Sequence, residues 1–285
     1  MGISGVEDTK FRQNHLIRVK DHLLDLSTPK IMGIVNVTPD SFYSSSRVMQ
    51  EKEVLERAAQ FISEGADILD IGGCSTRPGA KLISEQEEID RVAPVIDAIH
   101  RAFPDVLLSI DTFRSSVAEA AIQSGARMIN DISGWQFDEG IVEVAQRQHV
   151  PYILMHCADQ FENMHQPVLD NDFFFRDMIV YFSQKLNQLT EKGIIDVIID
   201  PGFGFSKTLE QNYALLDFLP EFKLLNRPIL VGLSRKSMIY KRLGIAAEEA
   251  LNGTTVLNTK ALLNGASILR VHDVKETKEI ITLLS

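Results

Sequence analysis

Eight short apolar runs in this chain end on or carry a polar residue near their ends, and helical periodicity follows nearly every one. The runs span 31–36, ending on Asn36; 68–71, carrying Asp70; 106–110, ending on Asp111; and 128–129, ending on Asn130 and Asp131. They continue at 152–155, ending on His156; 194–199, ending on Asp200; 228–233, ending on Ser234; and 268–271, carrying Arg270 and leading to His272. Strands alternating with helices predict a parallel sheet, and eight such units predict a closed (β/α)8 TIM barrel. A doubly wound open sheet would alternate too, but it gives no reason for a polar residue at nearly every strand end. At 285 residues and 45% hydrophobic content, one large core is possible, and α/β barrels of this length form one domain. Residues 15–285 therefore read as a single barrel domain.

The helices carry their own punctuation. Val54, Leu55, Ala58, Phe61 and Ile62 recur at helical spacing over 51–64. Ser84 with Glu87 reads as a capping box, Ser116 with Glu119 repeats the pattern, and Asp273 reads as the cap of a final amphipathic helix. Gly65, Gly125, Gly193 and Gly265 each stand between a helix and the next strand, which puts those turns at the bottom of the barrel. Residues 15–28 alternate loosely and predict a hairpin that plugs this bottom. Residues 1–14 have no period and are polar, without the apolar core of a signal peptide. No apolar run approaches the ~20 residues that span a bilayer.

Charge and cysteine content exclude several roles. The 29 Lys and Arg against 39 Asp and Glu give a net charge of -10, which argues against nucleic-acid or anionic-membrane partners. Cys74 and Cys157 are the two cysteines, too few for a disulfide framework, and a cytoplasmic, reducing location is expected.

In a barrel the polar strand ends face one mouth. Taken singly, an Asp or Asn there is best read as a helix cap, and Asp70 and Asp131 are assigned that role. Capping does not account for Lys236, Arg270 or His272. Asp111, Asn130 and Asp200 offer acceptors and one amide donor, which suits the amino–imino edge of a flat heterocycle. Lys236 supplies a donor to a ring oxygen or nitrogen. Arg77, Arg270 and His272 form a separate cationic group suited to phosphate or pyrophosphate. Two other motifs fail: residues 201–208 (PGFGFSKT) lack the Walker A spacing, and Gly232-Leu233-Ser234-Arg235-Lys236 lacks the second glycine of a nucleophile elbow. Cys74, Cys157 and His156 at the same mouth make a metal site conceivable, but they match no zinc spacing, and the two cysteines read as buried small apolar residues.

Seven stretches in order along the chain carry a resemblance: IMGIVNVTPDSF at 31–42, DIGGCSTRPG at 70–79, SIDT at 109–112, INDIS at 129–133, DPGFGF at 200–205, SRKSM at 234–238 and RVHD at 270–273. By these the chain resembles the dihydropteroate synthases, pterin-binding barrels of folate biosynthesis and sulfonamide targets. The resemblance implies condensation of 6-hydroxymethyl-7,8-dihydropterin diphosphate with 4-aminobenzoate, releasing diphosphate. It implies that Asp111, Asn130, Asp200 and Lys236 hold the pterin, and that Thr76 and Arg77 come from a second mobile loop. It also implies that Asn36 binds Mg²⁺, that Arg270 and His272 hold the diphosphate, and that Ser234 and Phe42 enclose 4-aminobenzoate. Asp40, with Asp111, would stabilise the positive pterin methylene. A homodimer through the late helices is implied as well. Two departures stand out: Cys74 replaces a usual Glu, and Cys157-Ala158-Asp159 replaces Met-Gln-Gly. A methyltransferase on a related barrel would have no use for Ser-Thr-Arg-Pro or Arg-Val-His-Asp. A non-catalytic pterin-binding paralogue would be expected to have lost Asn36, Arg77, Lys236 or His272.

Overall fold

The computed structural model describes residues 15–37, 47–75, 82–157, 164 and 173–285. An antiparallel hairpin, β1 (Leu16–Val19) and β2 (His22–Asp25), comes first. Eight parallel strands follow: β3 (Lys30–Asn36), β4 (Ile68–Gly72), β5 (Leu107–Asp111), β6 (Met128–Asp131), β7 (Tyr152–Met155), β8 (Val197–Asp200), β9 (Leu230–Val231) and β10 (Ile268–Val271). Their order around the sheet is β8-β7-β6-β5-β4-β3-β10-β9, and a bridge between Ile199 and Ile229 brings the two edges together. The result is the expected α/β barrel, nearly closed.

Helices α1 (Arg47–Glu64), α2 (Glu85–Ala102), α3 (Ser115–Ser124), α4 (Gly140–Gln148), α5 (Phe174–Glu191), α6 (Leu209–Phe218), α7 (Ser237–Leu243), α8 (Leu251–Leu263) and α9 (Val274–Leu284) connect the strands. Gly65, Gly125, Gly193 and Gly265 all have positive φ and end helices, as their positions in the sequence predict. Among the described residues, no helix is long and apolar enough to cross a membrane.

Three caps differ from expectation. Ser84 accepts the Glu87 N–H at 3.2 Å, but the Glu87 carboxylate turns to Arg91 at 2.6 Å, so only half the box forms. Ser116 does not cap α3. Its hydroxyl bonds Glu85, Glu119 pairs with Arg147, and the Ser115 N–H is taken by Asp138 at 2.6 Å. Asp273 occupies the cap position of α9, yet its carboxylate receives the Arg235 guanidinium at 2.8 Å. The charged donors Arg91, Arg147 and Arg235 take the carboxylates of Glu87, Glu119 and Asp273, while Ser116 gives its hydroxyl to Glu85. Two strands are also shorter than predicted. Residues 194–196 close α5 and turn, with the Ile194 N–H on the Leu189 carbonyl. Around Pro228, which has no N–H to offer a ladder, only Leu230–Val231 pair as strand.

Strand parity builds the site. The hairpin residues Ile17, Val19 and Leu26 pack against Met32, Ile68, Met128, Ile153, Ile198, Leu230 and Ile268, the inward residues at the strand beginnings. This is the expected plug; a backbone bond from Arg18 to Asp196 helps pin it. Side chains alternate along a strand, so the residues two and four further on also point inward. From Ile68 that gives Asp70; from Met128, Asn130; from Ile198, Asp200; from Ile268, Arg270 and then His272. From Met32 it gives Asn36, and from Leu230, Ser234. The outward parity belongs to the second core, between strands and helices, where Leu69, Ile71, Ile129, Leu154 and Ile199 are buried.

Candidate active site

The centre of the mouth is an ion network. Asp70 is fully buried and its Oδ2 accepts both the Arg270 Nε at 2.6 Å and the Asn130 Nδ2 at 2.9 Å. Arg270 also donates through Nη2 to Asp111 Oδ2 at 2.5 Å. Two expectations are corrected here. Asp70 is not a helix cap; it joins Asn130 to Arg270. Arg270 is not part of a separate cationic group, because it sits between the carboxylates of Asp70 and Asp111.

Burial raises the Asp111 pKa to about 7, with Arg270 opposing and Asp70 reinforcing the shift. Burial also raises Asp200, against the pull of Lys236 and of the Gly202 N–H, which donates to Asp200 Oδ1 at 2.8 Å. Lys236 is lowered to about 8 by burial, partly offset by Asp200. Burial alone would lower Arg270, but Asp70 and Asp111 more than reverse it and its pKa is raised. A low-dielectric mouth with fixed charges of both signs is suited to a polar ligand that completes the pairing.

Lys236 rests on the turn after β8. Its Nζ donates to the Phe203 carbonyl and lies 4.8 Å from the centre of the Phe205 ring. Gly202 makes this turn possible. Its φ is +72°, and a Cβ there would lie 2.1 Å from the His156 carbonyl oxygen. Ser234 and His272 meet at the same rim: the Ser234 hydroxyl is 3.3 Å from His272 Nδ1 and 3.2 Å from its backbone N–H. Asn36 Oδ1 and Asp111 Oδ2 lie 3.5 and 3.7 Å from the point where a Cβ on Gly72 would stand. Asp111 Oδ2 is already held by Arg270, so the hard donor this pair offers a divalent cation is the Asn36 amide oxygen. Among the described residues no cluster of three His, Cys, Asp or Glu could hold a metal, so any such ion would rely on its ligand for further oxygens.

Two members of the expected ring turn away. Asp131 has the outward parity; it caps its own turn, accepting from Ser133 at 2.7 Å and from the Trp135 N–H at 2.7 Å, and it receives the Tyr152 hydroxyl. Asp131 is therefore not the expected helix cap: α4 begins at Gly140 with Glu139 at its cap position, and Asp131 ties only the turn that follows β6. His156 also lies behind the mouth, packed edge-on against Tyr181 at 5.0 Å. Cys157 is buried among Phe113, Ile132, Met155 and Met164, a packing residue as expected, while Cys74 is half-buried. Asp40, Phe42, Thr76, Arg77, Ala158 and Asp159 lie outside the described residues.

Lys207 was not expected at all. It is 6% exposed, and its Nζ faces the carbonyls of Gly202 and Phe205 at 3.0 Å each and His156 Nδ1 at 3.1 Å. In the sequence it appears only as the lysine of a failed phosphate loop.

Comparison with known proteins gives one consistent result. The sequence profile described as pterin binding enzyme matches residues 32–272. The dihydropteroate synthase of Escherichia coli K12 is 42% identical over 258 residues, covering 90% of each chain. That of Clostridium beijerinckii is 41% identical over 251 residues, 86% of this chain and 89% of the relative. Among solved structures, a Yersinia pestis dihydropteroate synthase in complex with a sulfonamide drug superposes with a TM-score of 0.86 at 40% identity, covering 94% of this chain and 98% of that one. A Xanthomonas albilineans dihydropteroate synthase with 4-aminobenzoic acid gives 0.87 at 35% identity, covering 95% and 97%.

Proposed function

The chain belongs to the pterin binding enzyme family, and we infer from this that it is a transferase of folate biosynthesis with dihydropteroate synthase activity. The reaction joins 6-hydroxymethyl-7,8-dihydropterin diphosphate to 4-aminobenzoate. The bond between the exocyclic methylene carbon and the diphosphate oxygen breaks, and its electron pair leaves with the oxygen. The arylamine nitrogen then bonds to the carbon and loses a proton.

Each residue group has a part in this proposal. Asp111, Asn130 and Asp200 hold the amino–imino edge of the pterin, where paired N–H groups complete the buried carboxylates. Lys236 donates to a ring acceptor. Arg270 and His272, with Arg77 and Thr76 from the 76–81 segment, bind the diphosphate and stabilise the charge it gains on leaving. Asp111 and Asp40 stabilise the methylene cation. Ser234 and Phe42 flank 4-aminobenzoate. Asn36 is the residue that would hold Mg²⁺, which when bound with the diphosphate would neutralise its charge as a Lewis acid. The observation that carries the reading is the single network joining Asp70, Asp111, Asn130 and Arg270 beside Lys236. We further propose a cytoplasmic location and a homodimer through α8, whose Val256 and Leu263 are 57% and 70% exposed seven residues apart, on one face of the helix.

Titration calorimetry with the pterin diphosphate, followed by turnover on adding 4-aminobenzoate, tests the activity. Binding and release of diphosphate are expected. A folded protein that does neither would overturn the proposal. Binding without turnover would identify a non-catalytic paralogue.

A further inference from the structure

We propose that Lys207 is a positioning residue for pterin recognition: it fastens both ends of the four-residue turn 202–205, on which Lys236 is seated. The proposal rests on the pterin-binding reading above and deepens it.

The geometry is specific. The turn Gly202-Phe203-Gly204-Phe205 offers its first and last carbonyls to Lys207, at 3.0 Å each. Its second carbonyl, on Phe203, accepts from Lys236, and the ring of its last residue lies under the Lys236 ammonium. The turn is closed by the Phe205 N–H on the Gly202 carbonyl at 3.1 Å. Its middle is held by the Gly204 N–H on Asn212 Oδ1 at 2.7 Å, with Asn212 one turn into α6. Two lysines thus grip one short loop, one from behind the barrel wall and one from the mouth.

Burial lowers the Lys207 pKa from 10.5 to about 7, with Asp200 opposing, so the side chain grips the turn as an ammonium below about pH 7 and as an amine with two N–H donors above it. An ammonium has three donors and no acceptor, and four acceptors surround it: the carbonyls of Gly202, Phe205 and His156, and His156 Nδ1 at 3.1 Å. Burial holds His156 well below its ordinary pKa, so the imidazole is neutral and can accept. The His156 carbonyl lies 3.4 Å from the same Nζ, and the His156 N–H bonds the Asp200 carbonyl at 3.0 Å. Lys207 therefore links β7, the end of β8 and the turn. Removing its donors would take a partner from each of these buried carbonyls, and the turn would move to replace it. The part that moves is the part that fixes the height of Lys236 over Asp200.

A double-mutant cycle with the full-length enzyme tests this. In the Lys236 background, Lys207→Met should raise the Kd for the pterin diphosphate about tenfold while kcat at saturation changes less than about threefold. In a Lys236→Met background the same substitution should change Kd less than about twofold, because its effect travels through Lys236. An equal loss in both backgrounds would mean general damage and would overturn the proposal, as would an unchanged Kd in a folded Lys207→Met protein. Where Lys207→Met does not fold, Lys207→Gln, whose shorter planar amide does not reach both turn carbonyls, runs the same cycle with the same criteria. Wild-type protein that fails to bind the pterin diphosphate would instead refute the functional reading.

Discussion

Lys236 is the residue whose ionisation is most open to experiment. Burial lowers its pKa from 10.5 to about 8, so it loses its charge well before an exposed lysine would. Pterin affinity should therefore fall as pH rises past about 8. Stability of the ligand-free fold should move the other way. Between about 8 and 10.5 the unfolded chain binds the Lys236 proton and the folded chain does not, so this group makes the fold more stable as pH rises. Calorimetric Kd and urea midpoints measured from pH 7 to 10 would separate the two trends. In Lys236→Met the alkaline loss of affinity should disappear; its persistence would assign the limb to another group. At this scale much was legible. Asp111, Asn130, Asp200 and Arg270 could be picked out because each ends or nears the end of an apolar run. Asp70 was misjudged because it was weighed alone as a cap. Counting by twos from Ile68 puts it on the inward face with Asn130 and Arg270, and counting from Ile129 and Leu154 puts Asp131 and His156 on the outward one. Lys207 had no such signal, since parity ends with the strand and nothing local marks a lysine as buried.

Among the elements, the hairpin β1–β2 has the least conspicuous sequence and a clear structural duty. Ile17 is 1% exposed and closes the bottom layer formed by the inward residues of the barrel strands. Ile17→Ala should cost about 2–5 kcal/mol, read from denaturant unfolding, because removing the side chain beyond its Cβ opens a buried gap under a ring of strands that cannot collapse. Turnover per folded molecule should stay near wild type, since the mouth lies at the other end. The hairpin was legible as alternation, and the helix-ending glycines were legible as punctuation. The caps were less so. Glu87, Glu119 and Asp273 each have a cationic side chain within reach in three dimensions, and a sequence does not display that competition.

For the molecule as a whole, the exposed Val256 and Leu263 on α8 predict a particle of twice the 31.9 kDa chain mass by sedimentation, with a charged substitution at Leu263 shifting it to the monomer. A monomeric wild type would remove α8 from consideration as an interface. The closed barrel itself was legible from eight alternating units, but how evenly it closes was not. β3 and β4 share five paired positions, whereas β9 is two residues long and meets β8 through the single bridge at Ile199 and Ile229. Thermal breathing concentrates where a structure is least tied. This wall therefore has one slack joint, flanked by Asp200 on one side and Ser234 on the other. A widening of the barrel there would separate the proposed pterin and 4-aminobenzoate contacts from each other while the rest of the rim kept its shape.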